Sequence, residues 1–176
     1  MIGRVTLKIA RKLQGWCVLA AREEVTRELE SCGVDLDIMW PWDIRCARYI
    51  SIGDHTFIGP EVLMLADKCA RIRIGSKVMF GPRVRVIAND HRVDDPSVPI
   101  KDAGYVNSGD IVIGDDVWIG TGATILKCVS IGQGSVIGAG SVLTKSVGAY
   151  EVWAGNPARK MRSRLDARPA SAALRS

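Results

Sequence analysis

Six consecutive blocks of six residues, beginning at Ile113, constrain this chain more than any other feature in it. An aliphatic residue returns at every sixth position, Ile113, Ile119, Ile125, Ile131, Ile137 and Leu143, and glycine directly follows four of the six. A second, smaller residue recurs four places after each: Val117, Ala123, Val129, Ser135, Ser141 and Val147. A period of two describes an alternating strand and 3.6 a helix, so a period of six with two inward positions needs another shape. The hexapeptide β-helix supplies it. Each hexad makes one flat face of a triangular prism, three hexads make a coil, and stacked coils pair their backbones at about 4.8 Å. The large aliphatic residue is expected to fill the prism axis, with the adjacent glycine permitting a tight corner.

The same step runs upstream. Ile52, Ile58 and Met64 keep it, with Thr56 and Val62 in the small position, so the prism is expected to begin near residue 40. The phase slips between Met64 and Ile74, which predicts a corner insertion around Asp67 to Ala70, and resumes with Ile74, Phe80 and Val86. Residues 92–110, RVDDPSVPIKDAGYVNSGD, contain two prolines, two glycines and no six-step, and should leave the prism as a protruding loop. Insertions in repeat proteins tend to map to the binding face. The expected division is therefore an N-terminal helical arm over 1–39, a β-helix over 40–150 carrying the loop 92–110, and a turn with a basic, short helical tail over 151–176. In the arm, Ile2, Val5, Ile9, Leu13, Trp16 and Ala20 recur at helical steps. That stripe suits packing on the protein's own body or a neighbouring subunit. Its basic flank is also compatible with peripheral contact with an anionic membrane.

The net charge of +5 resides entirely in residues 159–176, where Arg159, Lys160, Arg162, Arg164, Arg168 and Arg175 face only Asp166. A neutral body argues against nucleic acid as the partner and for a C-terminal segment with an anionic partner of its own, or else a solvated tail. Five cysteines, odd in number and without a CxxC pair, suggest neither a disulfide framework nor a zinc site, and point to a reducing cytoplasm. The apolar stretch from Leu13 to Ala21 is too short to span a bilayer and does not read as a signal peptide.

There are two histidines. His91 sits where the coil pattern ends and the loop departs, and imidazole, which titrates near neutral pH, suits a general base for a hydroxyl or amine nucleophile. A main-chain carbonyl, Asp90 or Asp94 are candidate acceptors for its other nitrogen. The competing reading is an exposed loop histidine. His55, at an outward position of an ordinary hexad, reads as surface. No GxSxG elbow is present, no phosphate-binding glycine fingerprint sits between a strand and a helix, and two histidines fall short of a three-histidine zinc site, so no metal is expected.

The segments DVWIGTGATI, VIGAGSVLTK and the turn AGNPAR, with ANDHR preceding the loop, together resemble the left-handed β-helix acyltransferases, in the branch of galactoside, maltose and xenobiotic O-acetyltransferases. The loop wording DDPSVPIKDAGY further resembles sugar O-acetyltransferases of bacterial polysaccharide biosynthesis. The likeness covers about residues 50–163. It implies an all-β solenoid and an acetyl-CoA-dependent transfer in which His91 deprotonates the acceptor hydroxyl for direct attack on the thioester, with no acyl-enzyme. It further implies that Trp118, Thr121 and Ala139 line the pantetheine arm, with a backbone N–H near Gly120 or Thr121 as oxyanion donor. Thr144, Lys145, Arg159 and Arg162 match positions that face CoA, and Asn89 and Asp90 lie where the acceptor binds. A homotrimer with active sites between subunits is implied as well. The long arm and Trp40, Pro41 and Trp42 depart from the pattern, and they leave acceptor specificity open. Antibiotic acetylation and a non-catalytic trimeric scaffold remain as alternative functions.

Overall fold

The computed structural model describes residue 17 and residues 19–106 and 109–166. Every hexad in it is one side of a triangle. The first coil holds β1 (Ser31–Cys32), β2 (Asp37–Ile38) and β3 (Trp42–Arg45), and the second holds β4 (Ile50–Ile52), β5 (Phe57–Ile58) and β6 (Val62–Leu65). The third has β7 (Ile72–Ile74), β8 (Met79–Phe80) and β9 (Arg85–Ile87), and the fourth β10 (Ile111–Ile113), β11 (Trp118–Ile119) and β12 (Thr124–Ile125). The fifth has β13 (Ser130–Ile131), β14 (Val136–Ile137) and β15 (Val142–Leu143). Val147 then pairs with Ile131, and β16 (Glu151–Gly155) and β17 (Ala158–Ser163) close the far end.

Stacking generates three parallel sheets: A in the order β1-β4-β7-β10-β13, B in the order β17-β16-β14-β11-β8-β5-β2, and C in the order β15-β12-β9-β6-β3. Both inward positions are buried as the repeat requires. The aliphatic series Ile113 to Leu143 is at most 2% exposed and the small series Val117 to Val147 at most 4%. Ser135 and Ser141 replace aliphatics in that small series for a local reason. Ser135 Oγ donates to Gly148 O (2.7 Å), and Ser141 Oγ accepts from Gly155 N–H (3.1 Å), so the buried hydroxyls tie down the segment that ends the prism.

The corner glycines act differently from the expectation. The left-handed residues stand three places after the aliphatic, as at Asp116 (φ 54°), Gly122 (φ 69°) and Cys128 (φ 60°), and only some of them are glycine. The glycine directly after the aliphatic is needed for close approach: a Cβ on Gly120 would lie 2.6 Å from Ala139 N. Such glycines form columns at two of the three corners. The corner after sheet C has Leu65, Ile87, Leu126 and Thr144 instead, and both departures from the repeat leave the prism there. One is the insertion at Asp67 to Ala70, a tight turn closed by an antiparallel bridge between those residues. The other is the loop.

Two expectations are corrected. The prism starts at Ser31, because β1 pairs with β4 and β2 with β5, so Trp40 and Trp42 belong to the first coil and do not precede it. Of the helical arm, residues 19–28 are helical, with Val25 and Leu29 against the core; its earlier stripe lies outside the described residues. Residues 158–163 form a strand where a short basic helix was expected. They pair antiparallel with β16, whose outer edge would otherwise leave its backbone groups unpaired; residues 167–176 lie outside the described range. Among the described residues no helix is long and apolar enough to cross a membrane.

Candidate active site

The loop leaves sheet C after β9 and returns to β10, and its neck is built. His91 bridges Tyr105 in an antiparallel pair, Arg92 N–H donates to Gly104 O (3.0 Å), and Val106 N–H donates to Asp90 O (2.8 Å). The imidazole lies tilted on the Tyr105 ring, centroids 4.6 Å apart. On the return side Asp110 accepts from Arg71 N–H (2.8 Å) and pairs with Arg73, which clamps the loop to the third coil. Exposed ends meeting in a defined hairpin neck give His91 a fixed place on an otherwise solvated segment.

That place is the mouth of a cleft of about 400 Å³ with Leu65, Ala66 and Ile87 at its base and Arg45, Cys46, Asn89, Asp90 and Tyr105 around His91. Asn89 is thus beside His91. Asp90 is also there, but its carboxylate is already used: Oδ1 accepts from His91 N–H (2.9 Å) and Oδ2 pairs with Lys127 Nζ (2.7 Å). The hydrogen bond from Lys127 chiefly holds this carboxyl below its ordinary range. Neither Asp90 nor Asp94 bonds the imidazole. His55 pairs through Nδ1 with Asp35 (3.1 Å) on the exposed surface, away from this cleft's lining.

The expected CoA residues fall into two groups. Trp118 points outward from sheet B, 52% exposed, in register with Met79 on one side and Val136 on the other. Thr121 and Ala139 stack at the corner between sheets B and C, where Gly140 N–H donates to Thr121 O (2.8 Å). Gly120 cannot serve as an oxyanion donor, since its N–H is spent on Ile137 O (2.8 Å); the Thr121 N–H has no partner among the described residues. Thr144 and Lys145 instead occupy the corner after sheet C, two coils along from the loop exit, on the same edge of the prism as His91.

Arg159 and Arg162 join the first group through a β-bulge. Residues three apart on a regular strand face opposite ways, but the register slips between Val152 and Trp153, so that Ala154 pairs with Arg159 and Val152 with Arg162. Both arginines therefore share a face with Val152, which lies in register with Val136 and so with the Trp118 row. Three strand spacings, about 14 Å, separate Trp118 from Arg162. The hairpin also sorts the basic tail: Lys160 pairs with Glu151 (2.6 Å) and Arg164 with Asp116 (3.3 Å), while Arg159, Arg162 and Lys145 have no acidic partner among the described residues. No group of His, Cys, Asp and Glu fit to hold a metal occurs among the described residues.

Two site residues escaped the sequence reading. Lys127 had a readable signal, since it precedes Lys145 by three hexads and must share its corner. Tyr105 had none, because its place depends on how the loop folds back.

A parallel prism of hexads with a long loop thrown from one corner defines the hexapeptide-repeat transferases, and the chain belongs to the hexapeptide-repeat acetyltransferase family. Residues 110–145 match the family model described as bacterial transferase hexapeptide (six repeats). A hexapeptide-repeat-containing acetyltransferase of Vibrio cholerae, solved in complex with acetyl coenzyme A, superposes with a TM-score of 0.73 at 34% identity over 82% of this chain and 76% of its own. A chloramphenicol acetyltransferase of Agrobacterium fabrum is 38% identical over 69% of this chain and 59% of its own length. The galactoside O-acetyltransferase of Escherichia coli is 35% identical over 65% and 57%. The chain spans about half to three-fifths of the length of several curated relatives it matches.

Proposed function

We propose that this chain is an acetyl-CoA-dependent O-acetyltransferase acting on a sugar hydroxyl, in the cytoplasm, in the assembly of a glycan or polysaccharide. The observation that carries this reading is His91 fixed at the mouth of a cleft on a hexapeptide prism. The acceptor hydroxyl lies in that cleft beside Asn89. His91 takes its proton, the oxygen attacks the thioester carbonyl, the tetrahedral oxyanion is met by the Thr121 N–H of a neighbouring prism, and CoA leaves as thiol or thiolate. Acyl transfer from a thioester needs a positioned base and an oxyanion donor, with no covalent enzyme intermediate.

Acetyl-CoA lies with its pantetheine arm along Trp118, Thr121 and Ala139 and its phosphates toward Arg159 and Arg162, with Thr144 and Lys145 contributed from a second prism. The placement of these residues on two different corners favours a homotrimer whose sites lie between subunits. An outward apolar row of Phe57, Met79, Trp118, Val136 and Val152 also suits burial against a neighbour or the cofactor. Exposed cysteines that form no disulfide among the described residues fit a reducing compartment.

A second reading, an antibiotic or other xenobiotic hydroxyl as acceptor, is favoured by the apolar base of the cleft, Leu65, Ala66 and Ile87. Incubation with acetyl-CoA and panels of the two acceptor types, read by mass spectrometry for one added acetyl group, separates them. His91→Ala should lower turnover by about a hundredfold or more. Undiminished turnover removes His91 from the mechanism, and absence of transfer to any hydroxyl, with acetyl-CoA bound or not, returns the chain to a scaffold.

A further inference from the structure

We infer that Lys127 and Asp90 form a positioning pair that holds His91 at the loop neck and sets the pH range over which it works as a base. The inference rests on the reading of His91 as the base. It starts from what Asp90 does in the structure. One carboxylate oxygen accepts the N–H of His91 (2.9 Å) and the other pairs with Lys127 (2.7 Å), while the Asp90 carbonyl accepts Val106 N–H (2.8 Å). The peptide entering His91 is thereby tied both to the returning limb of the loop and to the fourth coil. Lys127 reaches it from the corner just after β12, on the far side of the whole insertion. Lys145, at the equivalent corner one coil on, has no such partner among the described residues.

Stability alone does not account for this pair. Asp90 is 57% and Lys127 36% exposed, and an ion pair in that setting contributes little to folding. Its location matters more, because Asp90 adjoins the base. An unopposed carboxylate there favours imidazolium, the form that cannot accept the acceptor's proton. Lys127 cancels that charge. Among the described residues, the other charged or titratable groups around the cleft are Tyr105 and Arg92 on the loop and Arg45 and Cys46 from the first coil, with Asp67, Lys68 and Cys69 of the corner insertion lining the adjoining pocket. Arg45 is itself paired to Asp43 (2.8 Å), and Asp94 makes no bond to the imidazole, so the Lys127–Asp90 pair is the adjustable element. Removal of either partner leaves the opposite charge beside the base.

The two single variants should therefore move the acid limb of kcat/KM in opposite directions. Lys127→Met should shift it to higher pH, and Asp90→Asn, which keeps an oxygen for the His91 N–H, to lower pH, each by roughly half a unit or more. Lys127→Arg should restore the wild-type limb, and the double variant should return it most of the way while kcat stays reduced. The profiles are measured with the full-length protein, acetyl-CoA and whichever acceptor the panels identify, with thermal unfolding recorded for each variant. A limb that stays put in both single variants, or moves the same way in both, overturns the inference even where turnover falls, since a purely structural pair lowers activity without a signed shift. Should Lys127→Met not fold, Asp90→Asn against Lys127→Arg decides by the same criterion. His91→Ala run alongside separates the two claims: full activity there defeats the base assignment, whereas its loss with an unmoved limb elsewhere defeats only the pair.

Discussion

Replacing Gly120 by alanine tests the geometry on which the prism depends. The new Cβ would sit 2.6 Å from Ala139 N and 2.9 Å from both Gly138 C and Ile137 O, all backbone atoms of the next coil. Ordinary carbon contacts are about 3.5–4.0 Å, so the fifth coil must retreat by nearly 1 Å at this corner. That retreat stretches the Gly120 N–H to Ile137 O bond of 2.8 Å. Overpacking strain of about 1–3 kcal/mol and a weakened hydrogen bond of about 0.5–1.5 kcal/mol together predict a loss of roughly 2–4 kcal/mol. Gly122, two residues on, is the internal control. It has φ 69° and nothing within 4 Å of a built Cβ. Gly122→Ala therefore meets only left-handed strain of about 1–2 kcal/mol, partly offset by about 0.4–1 kcal/mol from a less flexible unfolded chain. Gly122→Asn should be nearly neutral, as Asp116 and Cys128 already occupy that conformation in neighbouring hexads. Urea unfolding followed by circular dichroism, at one protein concentration throughout, reads all three. The reasoning is refuted if Gly122→Ala is as damaging as Gly120→Ala.

Replacing Arg159 and Arg162 together with alanine should raise the KM for acetyl-CoA by roughly tenfold or more, and raise that for the 3′-dephospho analogue less; equal effects mean that the pair does not read the 3′-phosphate. At the closing hairpin, Glu151 accepts from Lys160 Nζ (2.6 Å), Trp153 Nε1 (2.8 Å) and Gly148 N–H (2.9 Å), and the Lys160 bond chiefly holds its carboxyl below the usual range. A carboxyl lowered by folding contributes stability above its unfolded value, about 4.3 for glutamate, and loses it as pH falls through the folded value. Wild type should accordingly lose more hairpin protection in amide exchange between about pH 6 and about pH 3.5 than Glu151→Gln does. Identical losses would remove Glu151 as the acid-sensitive group.

The repeat was legible in the sequence because each hexad carries its own instructions: one aliphatic for the axis, one small residue beside it, and a break wherever the chain leaves the prism. Those rules are local, so the coils from Ile50 onward, the Asp67 to Ala70 insertion, the loop and the prominence of His91 could be read without coordinates. The first two sides of the first coil escape the pattern because exposed Cys32 stands where the aliphatic should and Met39 where the glycine should, and Ser31–Cys32 and Asp37–Ile38 are strands only through their pairing with β4 and β5. The strand at Ala158–Ser163 was missed for a related reason: a lone basic segment has no edge to join until β16 presents one.

The candidate site divides along the same line. Residue types and spacing singled out His91, Trp118 and the terminal arginines. Tertiary structure alone decided that a bulge turns Arg159 and Arg162 to one face, that Gly120 spends its N–H while Thr121 keeps its own, and that Asp90 answers to Lys127. Each of these is a pairing between neighbouring strands or coils, set by register and close approach, and a six-residue period contains no record of which neighbour a given backbone or side chain will meet.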